Sequence, residues 1–253
     1  MKLYVVLYDI HDQPPNKKSL ERKSYHPALR CAREVIKAYK PHGILYGGDA
    51  SELSSLNHWE QDKRLKMEGR RYNRDIESIK FMFDWMDEAH KPKEKIYLMG
   101  NHEEWVNLYI NYHPEQEGRM DWVKETELIK RGFEVIPLNK SKQLGKALFI
   151  HGLYTNLHHA YKTSHIYPRT IFYSHNHDYQ VHSFHSPIDH KEIRYAKSMG
   201  CLCDLAPSYG RNQPNRWMHL FGMLWLKDNG EFQMDDKIVI RGETIVNGRI
   251  FKG

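Results

Sequence analysis

Long hydrophobic runs are missing from this sequence. The longest apolar stretches, at residues 3–8 and 147–150, fall far short of the ~20 residues that a membrane-spanning helix needs. A secretory leader with a charged start, an apolar stretch and a small-residue cleavage site is also missing, so a cytoplasmic protein is expected. Cysteine is scarce: Cys31, Cys201 and Cys203 are the only three in 253 residues. An odd number without framework spacing argues against a disulfide scaffold. The Cys201-x-Cys203 pair has no second Cys/His pair to complete a zinc site, so all three read as buried thiols. No repeat, low-complexity tract or linker divides the chain, and one domain over residues 1–253 is expected. Acidic residues are outnumbered, 32 against 38 basic, giving a formal net charge of +6 that suits an anionic substrate. Histidine, in contrast, is abundant, with 17 residues. It is a frequent metal ligand, so the placement of these side chains is the next question.

Residues 2–8 form a β-rich apolar run that ends at Asp9, as expected for a buried strand. Residues 27–40 carry apolar side chains at helical spacing and are closed by Pro41. A strand follows at 43–46, an amphipathic helix at about 70–89 with Ile76, Ile79, Phe83 and Met86 on one face, and a third strand at 95–99. Strand, helix, strand, helix, strand in this order implies right-handed crossovers and an α/β core. Further strands are expected at 134–137, 147–150 and 170–173. Beyond residue 218 come short runs at 221–226, 233, 237–240 and 244–246. Asn229-Gly230 and Asn247-Gly248 punctuate them and mark antiparallel hairpins. The charged segment 58–74 reads as a solvated face, or else as a basic lip over a substrate site.

Five motifs sit at the C-terminal ends of these strands. Asp9-x-His11 follows the first, Gly48-Asp49 the second and Gly100-Asn101-His102-Glu103 the third. His151-Gly152 follows the strand at 147–150, and His175-x-His177 the strand at 170–173. In open α/β sheets the ligand site lies outside these carboxyl ends. Two carboxylates, an amide and four histidines make a mixed oxygen and nitrogen donor set. Such a set suits Mn, Fe or Zn better than Ca or Mg. Seven donors are too many for one tetrahedral ion and about right for two ions sharing a carboxylate. A metal pair of that kind clamps the attacking and leaving oxygens of a displacement at phosphorus.

The motif order resembles the calcineurin-like metallophosphoesterases, over Asp9 to His177, about two-thirds of the chain. The resemblance implies an α/β sandwich of two mixed β-sheets flanked by helices. It further implies a metal-dependent phosphoester hydrolase that uses a hydroxide bridging two divalent metal ions. Those ions are expected to be Mn2+, with Fe, Zn or Ni as alternatives. Asp9, His11 and His177 would hold one ion, Asn101, His151 and His175 the other, and Asp49 would bridge them. His102 would face the leaving group as general acid or charge stabiliser.

Two departures from the family pattern bear on substrate. Where the family has G-D-x-x-D-R-G, this chain has Gly48-Asp49-Ala50-Ser51-Glu52-Leu53-Ser54. Glu52 stands where the Asp that orients the catalytic histidine would stand, and is one methylene longer. Leu53 replaces the phosphate-holding Arg of the phosphoprotein phosphatases. The last motif begins with Ser174 in place of Gly. Phosphodiesters or nucleotides are therefore the expected substrates; a compact DNA or RNA nuclease is the alternative, and a Ser/Thr phosphoprotein phosphatase a weaker one. Expected partners are a phosphorylated small molecule, a nucleotide or a nucleic acid, with no membrane and no obligate protein partner. Trp59, Trp105 and Tyr154 lie near motif loops, where they can pack or stack on a base. His158 and His159 lie downstream of His151, within possible reach of substrate.

Overall fold

The computed structural model describes residues 1–15, 24–185, 193–207 and 213–253. Strand β1 (Lys2–Leu7) is buried almost throughout, because both of its faces are covered. Leu3, Val5 and Leu7 point to one core, while Tyr4 and Val6 point to the other. That period of two is what a central strand dictates. β1 pairs in parallel with β2 (Gly43–Tyr46), β2 with β3 (Glu94–Leu98), and β3 with β4 (Phe133–Ile136). On its other side β1 runs antiparallel to β10 (Leu220–Leu226), which runs antiparallel to β11 (Phe232–Ile238). The result is a six-stranded mixed sheet in the order β11-β10-β1-β2-β3-β4.

A second mixed sheet has the order β5-β6-β7-β9-β8, built from β5 (Lys142–Leu144), β6 (Ala147–Phe149), β7 (Ile171–Tyr173), β8 (Tyr179–His185) and β9 (Ile193–Met199). Phe149, Phe172 and Met199 of this sheet pack with Tyr4, Val6, Leu45 and Leu98 of the first. Helices α1 (Pro27–Tyr39) and α3 (Tyr72–Ala89) cover the opposite face of the first sheet through Leu29, Val35, Ile36, Ile79, Met82 and Phe83. Helix α6 (His159–Ile166) lies against β8 and β9. The layers are helix, sheet, sheet, helix, the sandwich that the motif order implied. No helix among the described residues is long and apolar enough to cross a membrane.

Some elements differ from expectation. The runs at 233 and 237–238 belong to one strand, β11, which Asn229-Gly230 joins to β10 as a hairpin, and residues 239–240 lie beyond its end. The charged segment holds only a short exposed helix, α2 (Arg64–Met67), and α3 starts at Tyr72. Helix α4 (Asn101–Tyr112) begins inside the third motif, with Gly100 as its N-cap. A short helix α5 (Trp122–Glu125) precedes β4, and a hairpin of β12 (Glu243–Val246) and β13 (Arg249–Lys252) packs on α1.

Tyr8, just past β1, ties the two sheets together. Its hydroxyl lies 3.0 Å from the carbonyls of both Ile150 and Phe172. The ring fits only because residue 47 has no side chain: a Cβ there would meet Tyr8 Cδ1 at 2.0 Å. Gly47→Ala should therefore displace Tyr8 and destabilise the protein by about 1–3 kcal/mol. Urea unfolding checks this; an unchanged midpoint at unchanged m-value would show that the sheets do not depend on the contact.

Candidate metal centre

Asp9, His11, Asp49, His175 and His177 all have positive φ, at 46°, 48°, 49°, 73° and 60°. For residues with a Cβ this conformation costs about 1–2 kcal/mol each. Strain gathered in five motif residues shows that the loops are bent to aim side chains at one point. Backbone hydrogen bonds hold the bends. Asp9 N donates to Gly48 O, His11 N to Asp49 O, Leu202 N to Asp9 O, and Met218 N to His177 O.

Two donor groups form there. In the first, His11 Nε2 and His177 Nε2 are 3.1 Å apart, and Asp9 Oδ1 lies 3.3 Å from His177 Nε2 and 3.7 Å from His11 Nε2. In the second, His151 Nε2 lies 3.0 Å from Asn101 Oδ1 and 3.3 Å from Asp49 Oδ2, with His175 completing the group. Asp49 Oδ2 is also 3.9 Å from His11 Nε2, so this carboxylate faces both groups. Donor atoms ~2.0–2.2 Å from a common ion stand about 3–3.5 Å from one another.

The fit to a cation rests on Asp9. Its Oδ1 is buried, and no donor meets it in good hydrogen-bond geometry: His177 Nε2 stands at 3.3 Å and His11 Nε2 at 3.7 Å. An anionic oxygen in that state is costly unless a positive charge faces it. Burial alone would raise the Asp9 and Asp49 pKa values, but the facing histidines outweigh it and hold both well below the usual carboxylate range. Reciprocally, burial pushes His151 down, yet Asp49 and Asp9 raise it to about 10. The carboxylates thus draw positive charge into the centre, which protons can supply on the histidines or metal ions can supply in their place.

The surrounding residues fix the imidazoles. His11 Nδ1 lies 2.8 Å from Glu52 Oε2, and His151 Nδ1 2.9 Å from Gly47 O. Each Nδ1 proton has an acceptor, which leaves Nε2 turned inward. His177 Nδ1 faces the Cys203 thiol at 3.8 Å, so Cys203, a buried thiol by its sequence context, also belongs to this shell. Glu103 is buried and receives four hydrogen bonds, from the backbones of Asp49, Ala50 and Gly100 and from the Tyr97 hydroxyl. It thereby joins the second motif to the third. His159 bridges the Tyr173 hydroxyl at 2.7 Å and the Asp178 carboxylate at 3.0 Å, bracing both ends of the turn that carries His175 and His177. It is buried, so it acts beneath the centre and not on a substrate.

Glu52 differs from the sequence expectation. Its carboxylate was expected on His102, but it holds His11, and the His102 Nδ1 proton goes to the Glu52 backbone carbonyl at 2.7 Å. The turn at Leu53, with φ of 48°, presents the carbonyl to one histidine and the side chain to the other. His102 Nε2 stays 3.9 Å from Asp49 Oδ2. Trp105 lies under the His102 ring at a centroid distance of 3.9 Å and 26°.

Two outcomes follow. Glu52→Gln should weaken metal affinity about 10–100-fold through His11, the usual effect of losing an outer partner; unchanged affinity by equilibrium dialysis would contradict this. Asp49→Ala should empty both positions, because its carboxylate faces both donor groups. Elemental analysis showing two retained ions would contradict the bridging arrangement.

Comparison with known proteins agrees with this architecture. The sequence profile of the calcineurin-like phosphoesterases matches residues 5–239. No curated protein matches significantly. Among solved structures, Vps29 of Chaetomium thermophilum is similar at 10% identity and a TM-score of 0.43, covering 100% of this chain and 97% of its own. YfcE, a phosphoesterase from E. coli, is similar at 14% identity and a TM-score of 0.38, covering 92% of this chain and 98% of its own. Likenesses this distant carry no argument, whereas the profile match spans nearly the whole chain. Sequence, fold and clustered motif residues agree, and the chain belongs to the calcineurin-like phosphoesterase family.

Proposed function

We propose that this chain is a binuclear metal-dependent phosphoesterase, in one domain, acting on phosphodiesters or nucleotides. The observation that carries the proposal is the buried Asp9 Oδ1, which has no hydrogen-bond partner, beside two donor groups that share Asp49, His11–Asp49–His102 and Asp49–His151–His175. Asp9, His11 and His177 would hold one ion, Asn101, His151 and His175 the second, with Asp49 between them. Mn2+ fits the mixed donor set, and Fe, Zn or Ni are alternatives. Two ions bound there supply Lewis acidity toward the phosphoryl oxygens and an activated water.

The chain's own chemistry centres on His102. Hydrolysis adds water to phosphorus, breaks a P–O ester bond and leaves an alcohol oxygen in need of a proton. His102 Nδ1–H is committed to the Glu52 carbonyl, so Nε2 can deliver that proton when the ring is doubly protonated; burial pulls the His102 pKa down, and the facing Asp49 carboxylate opposes that fall. Trp105 covers one ring face and His11 meets another edge at 4.6 Å, so the imidazole has little freedom to turn away. Leu53 is fully buried and offers no substitute for the phosphate-holding Arg of phosphoprotein phosphatases. A cavity of about 420 Å³ opens beside His11, Glu52 and Cys203, but His102 and the second donor group do not line it.

His102→Ala should lower kcat by about 10²–10⁴-fold while metal content stays intact. Near-normal turnover would remove His102 from the chemistry. With Mn2+, hydrolysis of bis-p-nitrophenyl phosphate, cyclic nucleotides or DNA should exceed that of a phosphoserine peptide. Steep salt dependence on DNA would select the nuclease form of the reading, and preference for the phosphopeptide would overturn the substrate class.

A further inference from the structure

Three aromatic residues flank the motif loops, and the structure separates them. Trp105 is only 8% exposed and stacked on His102, so it is not available to a ligand. Tyr154 has its ring capped by the Lys162 ammonium at 4.0 Å. Trp59 is 75% exposed. It is nonetheless connected to His102 through rings in contact. Trp105 meets His58 edge-on at 5.4 Å, and His58 lies against Trp59 at 4.5 Å. The file of rings leads from the inferred proton donor to an indole at the surface.

The backbone under Trp59 is fixed. Trp59 N donates to Asn57 Oδ1 at 3.0 Å, and the Lys63 ammonium donates to Trp59 O at 3.0 Å. Glu60, the next residue, is buried and holds Lys66 and Arg70 at 2.8 and 2.9 Å. An indole so exposed loses hydrophobic burial unless a ligand covers it. A rigid backbone lets it receive a flat ring at little entropic cost. The Lys63 ammonium sits on the Trp59 carbonyl, and Arg64 and Arg71 of the same charged segment are exposed. A flat aromatic surface among cations suits a ligand that combines an aromatic ring with negative charge.

We infer that Trp59 is a stacking platform for the nucleobase of a nucleoside phosphate, on the His102 side of the metal centre. The inference rests on the phosphoesterase reading and narrows its substrate to esters that carry a base. Within it, Trp59 sets specificity and takes no part in the chemistry. The charged segment 58–74 then acts as a lip of the site.

Calorimetric titration of the metal-loaded protein with AMP and with ribose 5-phosphate, with phosphate release monitored so that only unhydrolysed ligand is compared, tests this. AMP should bind about tenfold more tightly than ribose 5-phosphate. Trp59→Ala should abolish that difference without weakening ribose 5-phosphate, and Trp59→Phe should keep most of it. Exposure makes both variants safe for folding, and circular dichroism checks it. Equal affinity of the two ligands for the wild type, or AMP affinity unchanged in Trp59→Ala, would overturn the inference. In either case hydrolysis of bis-p-nitrophenyl phosphate would leave the phosphoesterase reading standing. Failure to hydrolyse any phosphate ester with any divalent metal would remove that reading itself.

Discussion

Two carboxylates withdrawn from water at the ends of neighbouring parallel strands set the terms for this structure. Asp9 and Asp49 are each almost completely buried, and their loops hydrogen-bond to each other through Asp9 N and Gly48 O. Such a pair repels itself and lacks solvation, so the fold must bring positive charge to it. It does so with imidazoles from the Asp9 motif itself and from three other segments. His11, His102, His151 and His177 all place a ring nitrogen within 4 Å of one carboxylate or the other. Each of these rings has its Nδ1 occupied, so the inward atom is Nε2 in every case.

Much of the remaining architecture serves that convergence. The parallel strands β1, β2 and β3 deliver the first three motifs to one rim. Tyr8 fastens that rim to the second sheet, which brings His151, His175 and His177 from the other side. Left-handed backbone at five motif residues aims the side chains, and the dense hydrogen bonding of Glu103 and His159 keeps those turns from relaxing. The hydrophobic core between the sheets makes such local strain tolerable, since burying a large apolar side chain contributes about 1.5–3 kcal/mol.

The sequence revealed those features that depend on local pattern. Asp9, Asp49 and Asn101 stand out because each ends an apolar strand-like run with a polar residue of ligand chemistry. Their partners His11, His175 and His177 stand out by spacing. The β10–β11 turn is written in Asn229-Gly230. What stayed hidden depends on tertiary geometry. The Glu52 carboxylate turns to His11 next to a Leu53 in left-handed backbone, and a Leu gives no warning of that conformation. Cys203 lies beside His177 because β10 and its preceding loop return to the first strand, a contact between segments far apart in sequence. Glu103 is recognisable as part of a motif, but two of its four donors come from the distant second motif. Trp59 and Trp105 look alike in the sequence; only burial distinguishes them.

The central claim is that the charge drawn in by Asp9 and Asp49 is a pair of metal ions. Anomalous diffraction from crystals grown with Mn2+ measures this directly. The account predicts two peaks, one against Asp9, His11 and His177, one against Asn101, His151 and His175, with Asp49 touching both. A single peak at saturating metal, or ions bound elsewhere while Asp9 Oδ1 stays bare, would contradict it.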